Sequence, residues 1–177
     1  MSIIAEIYNF FEQAATDARI GHVIGGRKRF YGFNFEEFET NTKDENDFFP
    51  CLGLSDAPHS GLVGSYTSGP EETSVASMIG INVLILDNPE QGNYTQEKDI
   101  YDALLPVCDD LILYIHAKVS LGCQSTWPFL DRIDLSSINI SRVGPKGTAK
   151  AYGWKIFIAF KKRRINTNYN PFNSILG

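Results

Sequence analysis

Apolar residues recur at three-and-four spacing near the start of the chain: Ile3, Ile4, Ile7, Phe10, Phe11, Ala14 and Ala18. The spacing predicts an amphipathic helix with one buried face, Ser2 as its N-cap and Gly21 as its stop. The period changes in "RKRFYGFNFEEFE". There Tyr31, Phe33, Phe35 and Glu37 alternate with Phe30, Gly32, Asn34 and Glu36, which predicts a strand with an aromatic face. "DFFPCLGL" reads as a second strand, and Pro50, which has no amide hydrogen to donate, places it at an edge or a bulge.

Residues 55–72, "SDAPHSGLVGSYTSGPEE", are dense in Gly, Ser and Pro and read as a long surface loop. "TSVASMIGINVLILD" sets Val75, Ile79, Ile81, Val83 and Ile85 on one side and smaller residues with Leu84 and Leu86 on the other, as a central strand does. In "EKDIYDALLPVCDDLILYIHAKV" the residues Ile100, Leu104, Val107, Cys108, Leu111 and Ile115 trace a helical face. Pro106 predicts a kink or a boundary within it. "IDLSSINISRV" and "AYGWKIFIAFKK" follow as strands joined through "GPKGTAK".

Helix, strands, helix, strands without regular strand-helix alternation predicts an α+β domain with a mainly antiparallel sheet, the N-terminal helix and a second helix packed on one face. One domain over residues 1–165 and a polar C-terminal tail over 166–177 account for the 177 residues.

Composition narrows the class. With 43% hydrophobic and 21% charged residues the chain reads as globular and soluble. No apolar run approaches the ~20 residues that span a bilayer, and the acids Glu6, Glu12 and Asp17 argue against a leader peptide, so cytoplasmic synthesis without membrane contact is expected. Cys51, Cys108 and Cys123, odd in number and widely spaced, argue against both a disulfide framework and a metal knuckle.

The net charge of -5 conceals a segregation. Six acids, Glu36, Glu37, Glu39, Asp44, Glu45 and Asp47, stand against Lys43 alone. Beyond Asp134 there is no acid and there are eight basic residues: Arg142, Lys146, Lys150, Lys155, Lys161, Lys162, Arg163 and Arg164. Such a run serves either a phosphate backbone or an acidic protein surface. The acidic segment within the same chain favours head-to-tail contacts between copies, with nucleic-acid binding by the basic C-terminal region as the alternative. The expected contact residues are therefore Glu36, Glu37, Glu39, Asp44, Glu45, Asp47, Lys161, Lys162, Arg163 and Arg164.

Candidate chemistry is sparse. "GLVGSYTSG" and "GPKGTAK" lack the spacing with which a phosphate loop aligns its amides and lysine. Asp56, His59 and Ser60 lie close in sequence but follow no nucleophile motif. Asp109 beside Asp110 points about 100 degrees away from it on a helix, and Asp131 with Asp134 is the only other close carboxylate pair near an element end. No catalytic set, cofactor or metal is expected.

The succession "SIIAEIYNFFEQ", "FFPCLGL", "ASMIGINVLILDNPE", "QEKDIYDALLPVCDDLILYI" and "YGWKIFIAF" resembles the tail-terminator and tail-completion proteins of long-tailed bacteriophages. The resemblance covers most of residues 1–162 and is one of element order. It implies a virion structural protein, assembled in the host cytoplasm, that forms a homo-oligomeric ring on the tail tube, ends its growth and meets the neck proteins, with contact to passing DNA left open. It carries over no catalytic residue.

Overall fold

Two long strands, β4 (Met78–Asp87) and β6 (Ala151–Lys161), pair antiparallel along their length and form the centre of a four-stranded sheet. The computed structural model describes residues 3–32, 48–56, 65–69, 72–76, 78–89, 94–146 and 150–161. β1 (Cys51–Asp56) flanks β4 and β5 (Ile133–Lys146) flanks β6, giving the antiparallel order β1-β4-β6-β5. With the N-terminal α1 (Ile3–Ala14), α2 (Ala18–Ile24) and the long α3 (Tyr94–Ser120), the fold is α+β.

Strand register places the branched residues on one face. Leu52 and Leu54 of β1 pair with Ile85 and Val83 of β4, and Val83 and Ile81 pair in turn with Ile156 and Ile158 of β6. These side chains share one core with Ile7, Phe10, Phe11 and Ala14 of α1 and with Leu104, Val107, Cys108, Leu111 and Ile115 of α3. Side chains on a strand alternate between faces, so the intervening Cys51, Leu84, Leu86 and Ala151 form a smaller buried cluster on the other face, with Tyr31, Phe49 and Val143 against it. The expected central strand, antiparallel sheet and helical face of α3 are all present.

Several expectations need correction. The first helix ends at Ala14, and Gly21 lies inside α2 instead of stopping α1. Asp17 starts the new helix by accepting the Arg19 N–H at 3.0 Å, a stabilising N-cap. Gly25, at φ 79, ends it with its N–H on the Gly21 carbonyl. Ala18 is exposed and not on the buried face.

The expected aromatic strand is not a strand where it is described. Gly26–Arg29 is a 3-10 turn, and only Phe30 bridges Leu52, with the Tyr31 N–H donating to the Leu52 carbonyl at 2.9 Å. Gly25 and Gly26 both have positive φ, which turns the chain sharply before an extended run can begin. Residues 33–47 lie outside the described residues.

Residues 55–72 are not one loop. β1 continues to Asp56, and β2 (Ser65–Gly69) pairs antiparallel with β3 (Glu72–Ala76) in a separate two-stranded sheet. Tyr66, Thr67, Thr73 and Val75 supply strand propensity within the ladder. The stretch read as one central strand holds two, β3 and β4, which belong to different sheets.

α3 runs through Pro106, so of the expected kink or boundary the boundary is absent. The proline is exposed, and the carbonyl deprived of its partner belongs to the exposed Asp102, where water can bond it. Pro50 lies immediately before the edge strand β1, outside its ladder.

Candidate functional site

One end of the sheet gathers a set of aromatic and polar side chains with defined partners. β4 ends there at Asp87, opposite Tyr152 of β6, and Arg142 of β5 stands opposite Trp154. Because residues 142, 152 and 154 have the parity of the core face, their side chains rise towards the N-terminal half of α3. Tyr101 on that helix packs edge-on against Trp154, with ring centroids 5.7 Å apart, and against Tyr152 at 6.2 Å.

Hydrogen bonds fix this packing in both directions. The Trp154 indole N–H donates to the Tyr101 carbonyl at 2.9 Å, and the Tyr101 hydroxyl donates to the Val143 carbonyl at 3.0 Å. The exposed Arg142 guanidinium lies 5.1 Å from the Tyr101 ring centre and 5.6 Å from that of Trp154. Such contacts contribute about 0.5–1 kcal/mol each at an exposed site. Burial raises the Tyr101 phenol above its ordinary value; Glu97 adds to the shift and Arg142 opposes it.

A shallow cleft of about 300 Å³ adjoins the cluster, lined by Asp87, Asn88, Gln96, Asp99, Ile100 and Ala103. Asp87 accepts the Asn88 backbone N–H at 2.8 Å. Burial pushes its carboxyl above the ordinary carboxylate value, against the pull of that bond and of Arg29. Arg29 itself donates to the Phe49 carbonyl. Burial, with the nearby Cys51, pushes Tyr31 up to about 12.

The surface this end offers is a held cation, aromatic edges and a desolvated carboxyl, a combination suited to protein contact. For covalent or metal chemistry the described residues supply less. The Cys108 thiol is pushed up to about 12, by burial first and by Asp109 second, so it stays protonated and a poor nucleophile at neutral pH. Among the described residues no group of three or more His, Cys, Asp and Glu side chains could hold a metal ion. Asp134 instead organises the β5 bulge, accepting the Ser136 N–H at 3.1 Å and its hydroxyl at 2.5 Å.

Of the sequence-expected contact residues, the structure describes only the backbone of Lys161. Glu36, Glu37, Glu39, Asp44, Glu45, Asp47, Lys162, Arg163 and Arg164 lie outside the described residues, as do His59 and Ser60. The Lys161 backbone closes β6 opposite Met78. Arg142, Lys146, Lys150 and Lys155 of the basic set are described, on or next to β5 and β6. Sequence reasoning placed Tyr152 and Trp154 on the buried side of β6, but not Tyr101 against them. The available signal was Tyr101 beside Ile100 at the edge of the helical stripe.

No described helix is long and apolar enough to cross a membrane. No family model matches the chain, and neither the curated proteins nor the solved structures contain a significant match to it.

Proposed function

We propose that this protein is a structural subunit of a bacteriophage tail or neck, a tail terminator that caps the tail tube as a homo-oligomeric ring and joins it to the neck. The observation that carries this reading is the order of elements, an N-terminal helix, a strand entered through a proline, a long strand ending in an acid, a packing helix and a late strand, which resembles that of tail-terminator proteins. Segregated charge supports it: the basic residues beyond Asp134 in one copy have a counterpart in the acids between Glu36 and Asp47 of the next. Heterologous contacts of that kind close into rings where the rotation between successive copies returns to the first.

Native mass measurement of the full chain, alone and mixed with tube subunits, tests the reading. The expected result is a ring that binds tube ends and stops their growth; a strict monomer that never caps a tube overturns it. Replacing Lys161, Lys162, Arg163 and Arg164 together with glutamine should abolish ring closure.

The same eight positive charges favour a second reading, nucleic-acid binding. Its signature is affinity that falls steeply with salt, since each phosphate contact releases counterions. Affinity unchanged by the fourfold replacement excludes it.

A further inference from the structure

Helix α3 carries apolar side chains on two sides. Ile100, Leu104, Val107, Cys108, Leu111 and Ile115 face the core. On the other side Leu105 is 37% exposed and Leu113 56%, with Pro106 and Ala117 exposed beside them. The core does not account for this second stripe. At about 100 degrees per residue, Leu105, Asp109, Leu113 and His116 fall within roughly 80 degrees of one another, and the exposed Asp102 lies on the same face about one turn before Leu105. Asp109 and His116 are both exposed, and among the described residues neither has a hydrogen-bond or ion-pair partner.

We propose that this face of α3 docks on the same face of a second copy, the two helices running antiparallel about a two-fold axis beside Leu113. The order of charge along the stripe selects that arrangement. Asp109 lies one turn before Leu113 and His116 about one turn after it, so an antiparallel pair sets each carboxylate against the other copy's imidazole N–H, twice by symmetry. A parallel pair in register sets Asp109 against Asp109 and is repelled. Leu113 meets its own counterpart at the axis, and Leu105 and Ala117 flank it. A single helix face buries less than the about 800 Å² per partner of a standard interface, so the contact is reversible, with Kd on the order of micromolar.

This contact is isologous and closes at two copies, so it stands apart from the heterologous contact a ring requires. Sedimentation velocity of the full chain over a concentration series reads it. The expected result is a concentration-dependent dimer component, lost in Leu113→Asp with an unchanged urea midpoint, because Leu113 is exposed. Asp109→Lys and His116→Asp should each raise the dimer Kd about tenfold, and the double variant should return it to near the wild-type value. Leu113→Cys should form a covalent dimer under mild oxidation, since Cα atoms facing each other across the axis come within disulfide reach. Absence of that covalent dimer together with a monomeric wild type overturns the proposal. So does a dimer component that Leu113→Asp leaves in place, or a failure of the double charge exchange to rescue the singles.

Discussion

Trp154 and Tyr101 lie 53 positions apart and hold each other through two kinds of contact: the Trp154 indole N–H on the Tyr101 carbonyl at 2.9 Å, and an edge-on ring contact at 5.7 Å. The pair ties β6 to α3 at the sheet end where the Tyr101 hydroxyl also reaches β5. Trp154→Phe keeps the ring packing and deletes the hydrogen bond, and should cost about 1 kcal/mol. The urea midpoint against wild type measures it, with an unchanged slope showing that only stability moved.

Phe10 should be the costliest truncation. It is fully buried, and Phe11, Tyr114, Trp127 and Phe129 surround it at centroid distances of 5.2 to 5.5 Å. Phe10→Ala removes a ring shared by α1, α3 and the turn before β5, at about 3–5 kcal/mol. That approaches the whole stability of many domains. Phe10→Leu should retain a cooperative thermal transition where the alanine variant broadens or loses it.

Gly153 of β6 lies against β4, and an added Cβ would overlap the Ile85 carbonyl oxygen. Gly26, at φ 74, has open space around its missing Cβ. Gly26→Ala should therefore cost only the about 1–2 kcal/mol of a left-handed backbone, and Gly153→Ala distinctly more, because two central strands must separate. Chemical denaturation of the two variants side by side checks the order.

Alkaline pH should destabilise the fold in a window that Cys108 helps to define. Its folded value, about 12, lies above the ordinary thiol value of 9.0, so the folded state retains a proton that the unfolded chain releases. Stability from this group is complete below about pH 9 and is lost as pH rises towards 12. Cys108→Ala should flatten the fall of unfolding free energy across that window. In the native protein at neutral pH, peptide mapping after thiol alkylation should find the half-buried Cys123 modified well before Cys108 or Cys51.

Apolar spacing alone was enough to determine β4, β6 and the buried stripe of α3, because one-sided burial demands period two in a strand and 3.6 residues per turn in a helix. It also gave the α+β arrangement, since the elements do not alternate regularly. Of the candidate site it gave Tyr152 and Trp154 as residues on one side of β6, and Arg142 as one member of a basic run. Which helix covers them is a long-range fact that local spacing does not carry.

Tertiary structure decided the rest. Asp17 as an N-cap divides one apparent helix into two, and paired left-handed glycines turn "RKR" into a 3-10 turn despite its strand-like alternation. Serine and threonine, which read as loop in isolation, become β2 and β3 once each supplies the other's backbone partners. Pro106 stays within α3 because burial along the helix offsets one lost hydrogen bond on its wet side. Each of these outcomes depends on which groups the remainder of the chain places beside a residue, and a hydrogen bond or a contact across the sheet outweighs the modest preferences that neighbours in sequence express.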